Sequence, residues 1–302
     1  MRAEGTYDYD VHLSLSSDAG ADWDTTFIPH TDGVAAEHGF VSLLPTPQGW
    51  FATWLDGRNT KTPSAGGHQA EDDHGHSQGG PMTVRAATFD FHGAKQEEWE
   101  LDARVCDCCQ TAAAMTDQGL VVVYRDRSED EVRDMSIVRL VEGSWTAPTP
   151  IHTDGWNIAG CPVNGPAVDA LGDQVSVAWF TAANGEPKVN LAFSSDDGAN
   201  FGAPITVSGE GAIGRVGVKV LPAGQTVITW VESTDAGGQI MLAIYQPDGT
   251  LLQKQVVSGF ETARSGGFPM VTNTKGHIYL AWTDTDASHI KVARLEIPAF
   301  EG

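Results

Sequence analysis

Positive charge is scarce in this chain of 302 residues: 18 Lys and Arg stand against 40 Asp and Glu, a formal net charge of −22. Nucleic acid and anionic membrane surfaces would repel such a protein, so neither is an expected partner. The ordinary use of such acidity is solubility. Long apolar runs are missing too: nothing approaches the roughly 18 residues that a bilayer span requires. The opening Met1-Arg2-Ala3-Glu4-Gly5-Thr6 is followed by no apolar leader segment. Cysteine is limited to four residues, too few for a disulfide scaffold at this length. Helical periodicity is also absent, which leaves strands and turns.

Glycine (34 residues) and proline (15) supply the turns, and a hydrophobic content of 41% supplies a core. A strand with an aromatic near its end recurs as GWFATWLDGR, GLVVVYRDRS, DQVSVAWF, QTVITWVE and HIYLAWTD. Its aromatics, Trp54, Tyr124, Trp179, Trp230 and Trp282, lie 70, 55, 51 and 52 residues apart. The long first interval contains a Gly/His-rich insertion at 59–82. A third strand follows each time (TVRAATFDF, MSIVRLV, KVNLAFS, IMLAIYQ, HIKVARLEI), and the alternation fits half-buried strands. A period near fifty with four short strands per unit predicts an all-β fold, a β-propeller of four-stranded antiparallel blades forming one domain over 1–302. Five first-and-second strand pairs are visible. The chain opens on a third strand near Tyr9–Leu15 and a fourth near Thr25–Pro29, which predicts a start in mid-blade with N-terminal strands lacking. His30-Thr31-Asp32-Gly33 and His152-Thr153-Asp154-Gly155 each close a fourth strand.

Ser16-Ser17-Asp18-Ala19-Gly20-Ala21-Asp22-Trp23 returns as Ser194-Ser195-Asp196-Asp197-Gly198-Ala199-Asn200-Phe201. Both read S-x-D-x-G-x-x-aromatic. The Asp accepts turn N–H groups, the Gly takes positive φ, and the aromatic packs under the hairpin. On these strings and the strand repeat, the chain resembles the sialidase-like (neuraminidase-like) Asp-box propellers, whose members are six-bladed. The resemblance implies that the boxes are structural locks. It also implies recognition of an acidic sugar or glycan, exo-α-sialidase chemistry as the enzymatic form, no required cofactor, and a monomer. Such sialidases hold the sugar carboxylate with three arginines and use a Tyr nucleophile and an Asp acid/base. The family's Phe-Arg-Ile-Pro motif is absent; Gly214-Arg215-Val216-Gly217 and Gly267-Phe268-Pro269 only partly resemble it.

In a propeller, loops after second and fourth strands share one face, and the unusual residues fall there. Tyr124 is the tyrosine on that rim and the candidate nucleophile, with Asp126 or Asp134 as acid/base. Arg125, Arg133, Arg215 and Arg264 are candidate carboxylate ligands, since a guanidinium fork matches a carboxylate. Their alternative use is in ion pairs with Asp56, Asp126 and Asp134, the expected role of Arg58. Trp156, on a D-G-W loop, is the candidate for stacking on a sugar.

Cys106, Cys108 and Cys109 precede one inner strand and Cys161 the next. Disulfides, a soft metal such as Cu(I) or Zn(II), and free thiols all remain open. The insertion adds His68, His74 and His76, a metal-binding composition among glycines. The rival readings are therefore a non-catalytic propeller binding copper or zinc on its Cys/His face, and an interaction scaffold. A periplasmic or extracellular location is expected for the full-length protein.

Overall fold

The computed structural model describes residues 8–61 and 79–297. Among them are twenty strands, three short 3-10 turns and no α-helix, so none could cross a membrane as a helix. The first sheet holds β1 (His38–Thr46), β2 (Gly49–Asp56), β3 (Thr83–Asp90) and β4 (Lys95–Asp102). The second holds β5 (Ala112–Met115), β6 (Leu120–Arg125), β7 (Met135–Val141) and β8 (Ser144–Trp145), with β9 (Thr149–His152) also pairing β7. The third runs β10 (Ala167–Leu171), β11 (Gln174–Thr181), β12 (Lys188–Ser194) and β13 (Ile205–Ser208). The fourth runs β14 (Ala212–Val220), β15 (Thr226–Thr234), β16 (Gly237–Tyr245) and β17 (Leu251–Phe260). The last has three strands, β18 (Met270–Thr274), β19 (His277–Asp284) and β20 (His289–Glu296). Every sheet is antiparallel and follows chain order.

First strand lies beside first strand throughout: β1 against β5, β5 against β10, β10 against β14, β14 against β18. This is how propeller blades stack, and it puts the core between sheets. Phe51, Leu55 and Val84 meet Val122 and Tyr124; Val121 and Ile137 meet Val175 and Trp179; Leu191 meets Val218 and Trp230. Second strands are buried on both faces and so read as near-continuous apolar runs, whereas outer strands such as Lys95–Asp102 alternate into solvent. Trp54, Tyr124, Trp179 and Trp230 are at most 1% exposed.

Turn chemistry repeats as the sequence predicts. Gly49 and Gly119 occupy the same first-to-second turn at φ +149° and +151°, where a Cβ would sit 2.0 Å from the Phe89 carbonyl and 2.3 Å from that of Leu140. The S-x-D-x-G turns share one bonding scheme. Asp18 accepts the Asp22 amide at 3.0 Å, and Asp196 accepts that of Asn200 at 2.9 Å. The Gly20 and Gly198 amides donate to Ser16 Oγ and Ser194 Oγ. Phe201 packs beneath its turn, but Trp23 is 64% exposed.

The expected N-terminal third and fourth strands are reduced to isolated bridges, Leu13 with Phe27 and Tyr9 with Glu37. Residues 8–29 pair with no second strand, so no ladder extends; Val11 instead packs on Trp54 and Phe89 of the first sheet. Most of the 59–82 insertion, including His68, His74 and His76, lies outside the described residues.

Candidate functional site

The loops entering β5 and β10 and leaving β6 converge on one polar centre. Cys108 and Cys161 form a disulfide across 53 residues, with Cα atoms 5.9 Å apart. This ties the loop before the second sheet to the loop before the third and withdraws both sulfurs from a four-thiolate set. Cys106 and Cys109 remain as buried thiols, 3.2 Å apart at sulfur. The Cys109 thiol donating to Cys106, the Cys108 amide and the Arg133 guanidinium at 3.4 Å bring Cys106 down to about 6. Burial, reinforced by Cys106, pushes Cys109 well up. Because the folded value of Cys106 lies below the ordinary 9.0, its stabilisation is complete above about pH 9 and is lost as the pH falls through 6. One thiolate per chain should therefore appear in the ultraviolet absorbance with a midpoint near pH 6. Cys106→Ser should remove it; a midpoint near 9 in the folded protein would contradict the arrangement.

The arginines are brought together, but their donors are engaged. Arg125 is 1% exposed. It gives Nε and Nη2 to the Asn164 carbonyl at 3.0 and 2.8 Å, Nη1 to that of Arg133 at 2.6 Å, and Nη2 to that of Phe180 at 2.7 Å. Its guanidinium lies 4.7 Å over the Trp156 ring. Trp156 is itself buried, edge-on to Phe180, and Asp134 accepts the Gly155 and Trp156 amides at 2.8 and 3.0 Å. Arg133 is paired with Glu131 at 2.7 Å. Arg215, at φ +53°, donates to the carbonyls of Gly267, Thr262 and Ala263. Arg264 begins a 3-10 turn, Arg264–Gly266; its side chain lies outside the described atoms. Arg58 forks Asp56, with Nε and Nη2 at 2.8 and 2.7 Å.

Tyr124 is fully buried and donates its hydroxyl to Asp102 at 2.7 Å. Burial and the Asp102 charge raise the phenol far above its usual range, which keeps it protonated. Burial and Asp102 likewise push the Asp126 carboxyl up, while Ser136 donates to it at 3.0 Å. A raised carboxyl suits a proton donor, whereas a phenol held this high is a poor nucleophile.

Asn164 is the hub that sequence reading does not single out. Its carbonyl takes Arg125, its Oδ1 takes the Arg215 amide at 2.9 Å, and its Nδ2 reaches the Ile213 carbonyl at 3.0 Å. The available signal is the bracketing in Cys161-Pro162-Val163-Asn164-Gly165-Pro166. A Cβ on Gly165 would lie 2.0 Å from the Gln110 carbonyl, so the loop is seated tightly.

Open space on this face lies between blades. One cleft of about 370 Å³ runs between the fourth and last sheets, with the largely buried Phe260 and Trp282 as its apolar part, Glu261, Asp284, Asp286 and Lys291 as its charged part, and Gly237 at its rim. An equivalent cleft of about 240 Å³ between the second and third sheets is lined by His152, Asp154, Asn184, Glu186, Lys188 and Asn190.

No protein-family model matches this sequence, and no curated protein does. Solved structures do resemble it. An ulvan lyase of a polysaccharide lyase family, bound to a GlcA(1-4)Rha3S repeat, aligns over 90% of this chain and 74% of its own, with 12% identity and a TM-score of 0.52. A lectin from Aleuria aurantia in complex with α-methyl-L-fucoside aligns over 92% and 86%, with 12% identity and a TM-score of 0.48. A Hadza microbial sialidase aligns over 71% of this chain and 52% of its own, with 16% identity and a TM-score of 0.42. At such identities the likeness to the lyase is one of fold.

Proposed function

We propose that this chain is a glycan-recognising, sialidase-like Asp-box propeller that binds an acidic sugar in the inter-blade clefts of its loop-bearing face. The observation that carries this reading is the cleft at Phe260 and Trp282. It sets carboxylates that accept sugar hydroxyls and a lysine that meets a sugar carboxylate above the largely buried rings of Phe260 and Trp282. The lyase of similar fold is bound to a glucuronate-containing glycan, which fits this substrate class. Lysines suit the anion better than the arginines do. Lys188 pairs with the exposed Glu186 and Lys291 with Asp284, so each can exchange its partner for a ligand. Arg125 cannot do so without stranding buried carbonyls, and Arg215 already gives both terminal nitrogens to main-chain carbonyls.

Recognition without Tyr124-dependent cleavage is the preferred form, because that hydroxyl is buried against Asp102. The six-bladed closed ring belongs to the same proposal. An exported location is supported by the Cys108–Cys161 disulfide, since disulfides persist in oxidising compartments. A panel of acidic and neutral glycans tests the reading. Acidic members should bind in a salt-sensitive way, and Lys291→Ala should weaken them about tenfold, or 1.4 kcal/mol. Equal binding of neutral glycans with no effect of Lys291→Ala would defeat it. Sialic acid release abolished by Tyr124→Phe would replace it with the hydrolase reading.

A second reading is favoured by the Cys106–Cys109 pair, a close dithiol suited to Cu(I). Copper retained by the purified protein and lost in Cys106→Ser would establish it.

A further inference from the structure

Four sulfurs from two loops lie in one cluster, two of them bonded and two not. The turn at Asp107-Cys108 sets Cys106 and Cys109 at its two ends, which brings their sulfurs to 3.2 Å. Cys108, within the turn, is bonded to Cys161, and its sulfur lies 4.0 Å from that of Cys106. Thiol pair and disulfide are therefore contiguous. Their access to solvent differs. Cys106 and Cys109 are each 1% exposed, whereas Cys161 is an exposed residue.

The loop that carries Cys161 also covers the thiol pair. Val163 packs on Cys106, Cys108 and Cys109, and the Asn164 amide donates to Cys109. Val163 sits at φ +50°, a costly conformation for a β-branched residue, so this loop is held under strain by its attachments. The attacking group is prepared as well. The Cys106 sulfur accepts from the Cys109 thiol and from Arg133 at 3.4 Å, contacts that favour thiolate over thiol. To bond, Cys106 and Cys109 need approach by only about 1.2 Å, down to an ordinary S–S length of about 2.0 Å.

We infer that the four cysteines form an internal thiol–disulfide relay, in which a single disulfide resides either at Cys108–Cys161, tying the two loops, or at Cys106–Cys109, releasing them. In the first step the Cys106 thiolate attacks the Cys108 sulfur. The Cys106–Cys108 bond forms, the Cys108–Cys161 bond breaks, and the electron pair leaves on Cys161, where water solvates it. In the second step Cys109 gives its proton, by way of solvent, to the Cys161 thiolate and attacks the Cys106 sulfur. The Cys106–Cys109 bond forms, and Cys108 leaves as a thiolate. One proton and one negative charge are present before and after, and no outside oxidant or reductant is consumed. The tied form is the resting one, because it keeps Asn164 on Arg125 and on the Arg215 amide. The released form frees Val163 from its strained turn and exposes a thiol at Cys161. The relay stands independently of glycan binding.

The test is alkylation of the native, tag-free full chain with iodoacetamide, without reductant, under anaerobic conditions and with a copper chelator, so that neither oxygen nor metal engages the pair. Uncatalysed disulfide rearrangement takes minutes to hours, which sets the time course. Digestion without reduction is followed by mass spectrometry. Wild type should accumulate alkylated Cys161 and alkylated Cys108 together with a Cys106–Cys109 disulfide. Cys106, Cys108 and Cys109 share one tryptic peptide, 105–125, so its separation from the Cys161 peptide is read directly. Cys106→Ser keeps both partners of the Cys108–Cys161 bond and should abolish labelling of Cys161, with circular dichroism confirming its fold. Wild-type Cys161 left unlabelled, with label absent or confined to Cys106 and Cys109, would overturn the relay without recourse to any variant. Equal labelling of Cys161 in folded Cys106→Ser would overturn it too.

Discussion

Arg125→Met is expected to lower the unfolding free energy by about 3–5 kcal/mol, the cost of stranding buried polar groups rather than of losing a ligand contact. The guanidinium serves the carbonyls of Asn164, Arg133 and Phe180, which come from three separate stretches of chain. Methionine fills much of the volume but donates nothing, so these buried carbonyls lose their partner together. Urea unfolding should show a lower midpoint with an unchanged m-value. Arg133→Met should cost less, because its partner Glu131 is 26% exposed and water can replace the guanidinium. A ligand-binding role for Arg125 predicts the reverse pattern: stability retained and glycan binding lost.

Cys161→Ser should cost roughly 4 kcal/mol on the chain-entropy model, given the 53-residue separation that the disulfide closes. The bond joins loops that lead into the second and third sheets, so its loss lets the Pro162–Gly165 turn move away from Arg125. Asn164 would then leave both Arg125 and the Arg215 amide, and the penalties of the two substitutions should couple rather than add. The measurement is a double-mutant cycle with Arg125→Met, read by denaturation. Additivity within about 0.5 kcal/mol would show that disulfide and arginine act independently. Reduction of the wild-type bond under native conditions should produce the same loss as Cys161→Ser.

Much of the architecture was legible because it is written in local, repeated chemistry. Trp54, Trp179 and Trp230 mark second strands since an indole between two sheets is the bulk that the repeat needs. Each indole N–H also finds a nearby carboxylate, Asp56, Asp154 and Glu232 respectively. The serine, aspartate and glycine of each S-x-D-x-G turn bond within four residues, so their meaning needs no tertiary contact. The N-terminal strands were over-read for the same reason: local pattern predicts a strand, but a ladder also needs a neighbour.

By itself, the sequence determined an all-β chain of repeated four-stranded units with locked hairpins and one loop face rich in Cys, Arg and His. Such features depend on periods of two residues and turns of a few, which any reader of the order can count. Only the tertiary structure decided what those side chains are free to do. It spent Arg125 and Arg215 on backbone carbonyls, which every residue carries and which no residue type betrays. It paired Cys108 with Cys161, buried Tyr124 against Asp102, and stacked His30 on His38 among Asp10, Asp32 and Asp56. These outcomes depend on distances across blades, set by how the sheets stack, and nothing in the spacing of residues along the chain encodes them.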